Sequence, residues 1–159
     1  MNKHNEIHQS KSGLFADIRQ MIEQSRQKVA ITVNAEMSML YWHIGKRIKE
    51  DVLQNKRAEY GKQILSTLSG QLTREYGTGW SEKQLRQCLQ FASAFQDKEK
   101  VYTLCIQLSW SHIRQVMFME DPLKRDFYIQ MCIHEKWSVR TFRERINSML
   151  YERTAISKK

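Results

Sequence analysis

Apolar residues spaced three or four positions apart run from Leu14 to Val52, and this long pattern most constrains how the chain can fold. Such spacing places the apolar side chains on one face of an α-helix. Residues 29–33 alone would suit a strand, but the spacing continues well beyond them and favours a helix throughout. The pattern therefore predicts one extended helix, straight or kinked near residues 25–28, and favours self-association through a coiled-coil-like seam.

The rest of the chain also favours helices. Six glycines and one proline in 159 residues disfavour an all-β sandwich or barrel, which needs many turns. The sequence therefore predicts an all-α fold, a multi-helix bundle with a long N-terminal helix and one or two helix-turn-helix-like units. Residues 1–11 are polar and are expected to form a flexible N-terminus, so the helical domain spans 12–159.

Further helices are predicted at 60–76, at 82–96, from Ser109 or Ser111 to Met119, from Asp121-Pro122 onward, and after Ser138. Residues 97–100 are interpreted as a charged loop and 104–108 as an extended connector. The last two helices are expected to bury apolar residues that recur at helical spacing: Leu123, Phe127, Met131 and Cys132 on one, and Val139, Phe142, Ile146 and Met149 on the other.

The stretch 77–85 joins two of these helices through a turn and a marked helix start. Gly77 and Gly79 allow the backbone to reverse, and Ser81 with Gln84 forms a capping-box pattern. Trp80, just before the cap, can pack onto Leu85 as a hydrophobic staple. The Trp-Ser pair recurs at residues 110–111 and 137–138, each ahead of a helical pattern.

Helix, short turn and capped second helix is the outline of a helix-turn-helix, and both 64–89 and 123–146 have it. Ordinary helix hairpins with hydrophobic staples would give the same pattern. Charge favours the first interpretation, since 26 Lys and Arg against 17 Asp and Glu give a net charge of +9. Such an excess suits a polyanionic partner such as DNA, although solubility alone can also account for it.

Base-reading residues are expected at the N-terminal end and outward side of each second helix, where Arg suits guanine and Gln suits adenine. Phosphate contacts are expected from Lys136, Arg145 and Arg153. The alternative is a basic helix surface that binds nothing. The candidate nucleic-acid contacts are Lys83, Gln84, Arg86, Gln87 and Gln90 on the first helix, and Lys136, Arg140, Arg143, Arg145 and Asn147 on or beside the last.

The sequence contains little that would support catalysis. It has no Gly-rich phosphate loop, no nucleophile motif and no Cys/His spacing of a metal site, so we expect no catalytic residues, no metal and no cofactor. His43 and His134 are interpreted as structural. Three cysteines without a CxxC pair predict reduced, buried thiols in a cytoplasmic protein, and no apolar run is long enough to span a membrane.

Several motifs together resemble the N-terminal domain of the YhcG-like predicted nucleases of bacteria, over nearly the whole chain beyond the first dozen residues. The motifs are Tyr41-Trp42-His43-Ile44-Gly45-Lys46-Arg47-Ile48, Tyr60-Gly61-Lys62, Tyr76-Gly77-x-Gly79-Trp80-Ser81, Leu108-Ser109-Trp110-Ser111-His112, Phe127-Tyr128, Trp137-Ser138-Val139-Arg140 and the C-terminal residues from Tyr151 to Lys159.

The resemblance implies a DNA-related role, because in that family a PDDEXK-type nuclease domain follows the helical region. This chain stops where the family continues, so the expected nuclease domain is absent from it and no catalytic carboxylate can be carried over. The first hypothesis is a DNA-binding or targeting module of such a nuclease, not an enzyme by itself, with DNA and the nuclease domain as partners. The alternative is a protein-interaction or dimerisation module that forms a homo-oligomer through its long first helix.

Overall fold

The computed structural model describes the backbone of residues 3–55 and 58–157 and the side chains of residues 13–54 and 59–155. Within these ranges the chain forms eight α-helices and no strand, which confirms the all-α prediction. The helices are α1 (Lys3–Asn55), α2 (Ala58–Tyr76), α3 (Glu82–Ala94), α4 (Lys98–Gln107), α5 (Trp110–Val116), α6 (Pro122–Glu135), α7 (Val139–Asn147) and α8 (Leu150–Ser157).

The long apolar pattern forms one helix, as predicted. α1 continues through residues 25–28, and its 53 residues extend about 80 Å at 1.5 Å per residue. It begins at Lys3, earlier than the start predicted at Ser12. The side chains of the predicted flexible segment 1–11 lie outside the described ranges, as do those of Lys158 and Lys159.

The C-terminal part of α1 packs closely against α3 and α4. Trp42 is almost fully buried, and its indole N–H donates a 2.7 Å hydrogen bond to the carbonyl of Phe95 at the end of α3. Gly45 lies against the backbone of α3, where a Cβ atom would come within 1.8 Å of the carbonyl oxygen of Cys88. Only glycine permits this close approach, which fixes α1 against α3.

Two apolar clusters form the core around this contact. The larger one joins α1 to α3–α7 and includes Trp42, Phe91, Ile113, Tyr128 and Phe142. The smaller one joins α1, α2 and α3 around Ile48, Leu65 and Leu85. Cys88, Cys105 and Cys132 are buried and unpaired, as predicted. Burial raises the pKa of the first two thiols to about 12 and that of the third to about 11.

The segment 97–108 was wrongly interpreted as a loop and connector. Asp97 caps the helix α4, because its carboxylate accepts hydrogen bonds from the backbone N–H groups of Glu99 and Lys100. Leu104 and Cys105 are then buried on the inner face of this helix. The charged residues that suggested a loop form its first turn.

The predicted inward faces of the last helices need correction at two positions. Leu123 on α6 is 72% exposed, whereas Tyr128 and Ile129 are buried beside Cys132. Met149 is 55% exposed and has a positive φ of 59°, which ends α7 and starts the separate helix α8. Both apolar side chains lie at helix ends, where the chain changes direction and helical spacing no longer fixes which side is inward.

Eleven large apolar side chains of α1 are exposed. Nine of them lie on one side of the helix, and we call these nine the apolar stripe: Leu14, Phe15, Ile18, Met21, Ile22, Val29, Val33, Met37 and Leu40. Of the other two, Ile31 lies on the opposite side of the helix, and Leu53 lies near its C-terminal end, also outside the stripe. The described part of the chain therefore leaves this face of α1 uncovered.

Candidate nucleic-acid interface

The turn between α2 and α3 has the geometry that its sequence predicts. Gly77 and Gly79 have φ values of 82° and 112°, which L side chains rarely adopt. The hydroxyl of Ser81 accepts a 3.1 Å hydrogen bond from the backbone N–H of Gln84 and caps α3. Trp80 packs into the smaller cluster that contains Leu85, as a staple requires.

The candidate residues of α3 divide into exposed and partly buried side chains. Lys83 and Arg86 are exposed, one helical turn apart, and neither makes an ion pair within the described part of the chain. Gln84 and Gln87 are half-buried. The amide nitrogen of Gln90 donates a 2.7 Å hydrogen bond to the carbonyl of Met117. This bond holds Gln90 against the loop after α5.

A left-handed residue makes the turn between α6 and α7. Lys136 has φ 53° and ψ 46° and ends α6, and both its N–H and that of Trp137 donate to the carbonyl of Cys132. Both bonds satisfy the same carbonyl near the end of the helix, and the one from Trp137 is the six-to-one bond of a Schellman-type end. Ser138 then caps α7, since its hydroxyl accepts from the N–H of Thr141 at 3.2 Å.

The candidate residues of α7 are all exposed, but their partners differ. The guanidinium of Arg140 lies 3.4 Å from the carboxylate of Glu144, which offsets part of its charge. The guanidinium of Arg145 lies 5.7 Å from the ring centre of Trp137, a cation–π contact. Arg143 makes no ion pair among the side chains that the structure describes, so it is the free cation of this helix. Asn147 is exposed at the end of α7.

The two sets belong to separate helix pairs, and α5 packs against both α3 and α7. No hydrogen bond, ion pair or ring contact between described residues joins a side chain of one set to a side chain of the other. Within each set, the free cations lie in the first turns of a capped helix: Lys83 and Arg86 on α3, and Arg143 on α7. The positive N-terminal ends of both helices add to the attraction for an anion.

One side chain that sequence reasoning did not select joins α5 to the helix pair α6–α7. The ring of His112 on α5 lies 2.7 Å from the hydroxyl of Ser109 and 2.9 Å from the carbonyl oxygen of Trp137. It also stacks near Phe142, with ring centres 5.8 Å apart. The hydroxyl of Ser109 caps α5 as well, so Trp110 is the first residue of that helix and not a staple before a cap at Ser111. His112 thus fixes the turn that precedes α7.

A second polar cluster ties α6 to α8. The ammonium of Lys124 lies 2.7 Å from the carboxylate of Glu152, and the Tyr128 hydroxyl donates to the same carboxylate. The hydrogen bond from Lys124 holds the pKa of Glu152 below its ordinary value. The same pair raises the pKa of Lys124. Its charges neutralise each other, which makes this cluster a structural contact.

Across residues 13–54 and 59–155, no group of three or more His, Cys, Asp or Glu side chains is placed to hold a metal ion. None of the described helices is long and apolar enough to cross a membrane.

Residues 17–153 match the family described as the DUF1016 N-terminal domain. A relative from Escherichia coli (strain K12), named "Putative nuclease YhcG", is 31% identical over 167 residues. The match covers 86% of this chain and 44% of the relative, so the chain spans less than half the length of that protein. No solved structure matches the chain. The chain belongs to the DUF1016 N-terminal domain family.

Proposed function

We propose that this domain binds DNA and targets a nuclease to it, without catalysing cleavage itself. The observation that carries the proposal is the position of Lys83 and Arg86, which are exposed and free of acidic partners in the first turns of a capped helix that follows a tight turn. A recognition helix presents its residues to the major groove in this way. The net charge of +9 supports the same partner.

The helix pair α6–α7 supplies a second basic surface, centred on Arg143. Arg140 and Arg145 contribute less free charge, because one pairs with Glu144 and the other stacks on Trp137. We assign Lys136, Arg145 and Arg153 to phosphate contacts, which position a protein without reading sequence. Gln84 and Gln87 remain candidates for base contacts, whereas we assign Gln90 to holding the fold.

The nuclease part of the proposal rests on the relative's name and length. The E. coli relative is named as a nuclease, and more than half of its length has no counterpart in this chain. A separate nuclease domain, of the PDDEXK type implied by the motif resemblance, would then supply the cleavage. The unpaired thiols fit a reducing compartment, and a cytoplasmic location is therefore part of the proposal.

Titration of fluorescent duplex, branched and single-stranded DNA at two salt concentrations tests DNA binding. Affinity should fall steeply with salt, because each neutralised phosphate releases condensed counterions. Arg86→Ala and Arg143→Ala should each weaken binding by about fivefold or more, the lower limit for losing one good base contact of about 1 kcal/mol. Their thermal melts should match that of the wild type, since both side chains are exposed.

Lys98→Ala is the matched control, because it removes one exposed positive charge from α4, outside both candidate sets. Equal affinity of Arg86→Ala, Arg143→Ala and the wild type would remove both helices from the interface. Equal losses in all three variants would indicate a general charge effect. The wild-type domain with Mg²⁺ should leave plasmid DNA intact.

Assembly of the nuclease through α1 is a second candidate function, and the apolar stripe favours it. Nine exposed large apolar side chains on one helix face exceed the scattered exposure of a monomeric protein. In this role the basic charge would contribute only weak attraction to DNA. A protein that forms dimers but binds no DNA at low salt would support this function over the first.

A further inference from the structure

The apolar stripe of α1 leads directly into an apolar groove between α1 and α2. Leu40 belongs to both, and Ile44 continues the same face by one helical turn. Leu68, Leu72 and Tyr76 of α2 form the opposite wall of the groove, which encloses about 560 Å³. Tyr76 is 66% exposed and Leu40 is 42% exposed, so the groove is open to a ligand.

This surface is distinct from the side of α1 that packs into the core. Ile18 and Ile22, Val29 and Val33, and Leu40 and Ile44 form three pairs that repeat every eleven residues. An eleven-residue repeat has about 3.67 residues per turn, so the pairs follow one side of a nearly straight helix. The core-facing Trp42 lies about 160° around the helix from Leu40. A second helix can therefore cover the stripe without displacing the contact between α1 and α3.

We infer that the stripe and groove bind the α1 helix of a second copy of this chain, running antiparallel and centred near Val29. Residues equally distant from Val29 then face each other. Ile18 of one copy meets Leu40 of the other, and Leu14 meets Ile44. The N-terminal part of each α1 thereby reaches the groove of the other copy. This inference specifies the assembly role proposed above and rests on it.

The charge within the stripe selects the antiparallel direction. Glu36 lies on the same helix face, between Val33 and Leu40, and is exposed. In a parallel pair, Glu36 of one copy would face Glu36 of the other. Two like charges would then lie opposite each other in an apolar seam. In the antiparallel pair Glu36 lies opposite Ile22, one helical turn from Arg26 of the other copy. Opposite charges then meet beside the seam.

The size of the surface also suits a second copy. Side chains of this size at 42–69% exposure present about 90 Å² each, so the nine of the stripe offer on the order of 800 Å² per copy. Stable dimers bury about that area on each partner. The two-fold arrangement uses the same surface on both copies, which closes the assembly at two.

Disulfide trapping tests the direction of the helices in the full chain. Chains with Ile18→Cys and Leu40→Cys, one of them carrying a size tag, are mixed and oxidised after the oligomeric state has been measured by light scattering. The native thiols are buried with raised pKa values and react slowly under these conditions. We expect a dimer and mixed cross-links between the two variants, in excess over cross-links within either variant.

Ile31→Cys is the control, because this exposed residue lies on the side of α1 away from the stripe and should not cross-link. A monomer in light scattering would overturn both the inference and the assembly role. A dimer in which Ile18→Cys cross-links mainly to itself would overturn the antiparallel pairing and keep the assembly role.

Ile18→Asp should weaken the dimer at least tenfold with an unchanged fold, and an unaffected dimer would place the contact elsewhere. DNA titration of Ile18→Asp measures DNA binding by this variant, and so tests the DNA-binding proposal separately from dimerisation.

Discussion

Gly45→Ala should destabilise the domain, although alanine is the better helix former. The added Cβ would lie 1.8 Å from the carbonyl oxygen of Cys88, and ordinary contact begins at 3.4 Å, so α1 and α3 would have to separate by about 1.6 Å. Both groups are attached to helix backbone, and no side chain can rotate to relieve the contact. Overpacking of this kind costs up to about 3 kcal/mol. The helix propensity of alanine offsets about 1 kcal/mol, which leaves a net loss of about 2 kcal/mol.

Thermal unfolding followed by circular dichroism measures this loss. At about 2–4 °C per kcal/mol for a chain of this size, Gly45→Ala should melt about 4–8 °C below the wild type. Gly70→Ala is the matched control, because it is an exposed position in α2 whose Cβ would meet only the guanidinium of Arg74 at 3.9 Å. That variant should melt higher, by about 2–4 °C. A melting temperature of Gly45→Ala at or above the wild-type value would refute the close packing of α1 on α3.

Two further perturbations test the helix pair α6–α7 and its contact with α8. Trp137→Ala should cost about 2 kcal/mol, less than the 3–5 kcal/mol of a fully buried ring, because Trp137 is only half-buried against Phe142; an unchanged urea midpoint would contradict the staple. The lowered pKa of Glu152 means that its pairing with Lys124 stabilises the fold above the ordinary value of 4.5 and is lost as the pH falls through the folded-state pKa. Glu152→Gln should therefore be less stable than the wild type at neutral pH, and the difference should shrink as the pH falls below 4.5 and Glu152 becomes protonated; a difference that does not depend on pH would argue against the ion pair.

The sequence predicted the elements whose signals are local. A cap depends on a side chain and the backbone N–H groups two or three residues later, and the caps at Ser81, Asp121 and Ser138 are all present. The turn glycines Gly77 and Gly79 likewise have the positive φ that their positions suggested. Each of these features is decided within about five residues, so no knowledge of the tertiary fold was needed.

Features that depend on tertiary neighbours were less predictable. The capping residue Asp97 lies in a charged run, and α4 becomes recognisable as a helix only when Leu104 and Cys105 are seen to pack on the core. Lys136 takes a left-handed conformation that usually falls to glycine, and no local signal marks it. The candidate base-reading residues were the least predictable, because helical phase gives the exposed side of α3 but not that Gln90 is bonded to Met117.

The apolar pattern of α1 shows the limit of periodicity most clearly. Periodicity detects apolar side chains on one face of a helix, and it responds equally to a core and to a surface that binds a partner. In α1 the core-facing surface and the exposed apolar surface lie on different sides of the helix. Small residues and Trp42 face α3, while the larger apolar residues form the stripe. Gly45 and Ser38 are the sequence signal for the first face, because residues without bulk allow two helices to approach closely. A helix that carries a small-residue face and a separate aliphatic face is built to contact two partners. One of them is the domain's own α3, and in the proposed antiparallel dimer the other is α1 of the second copy.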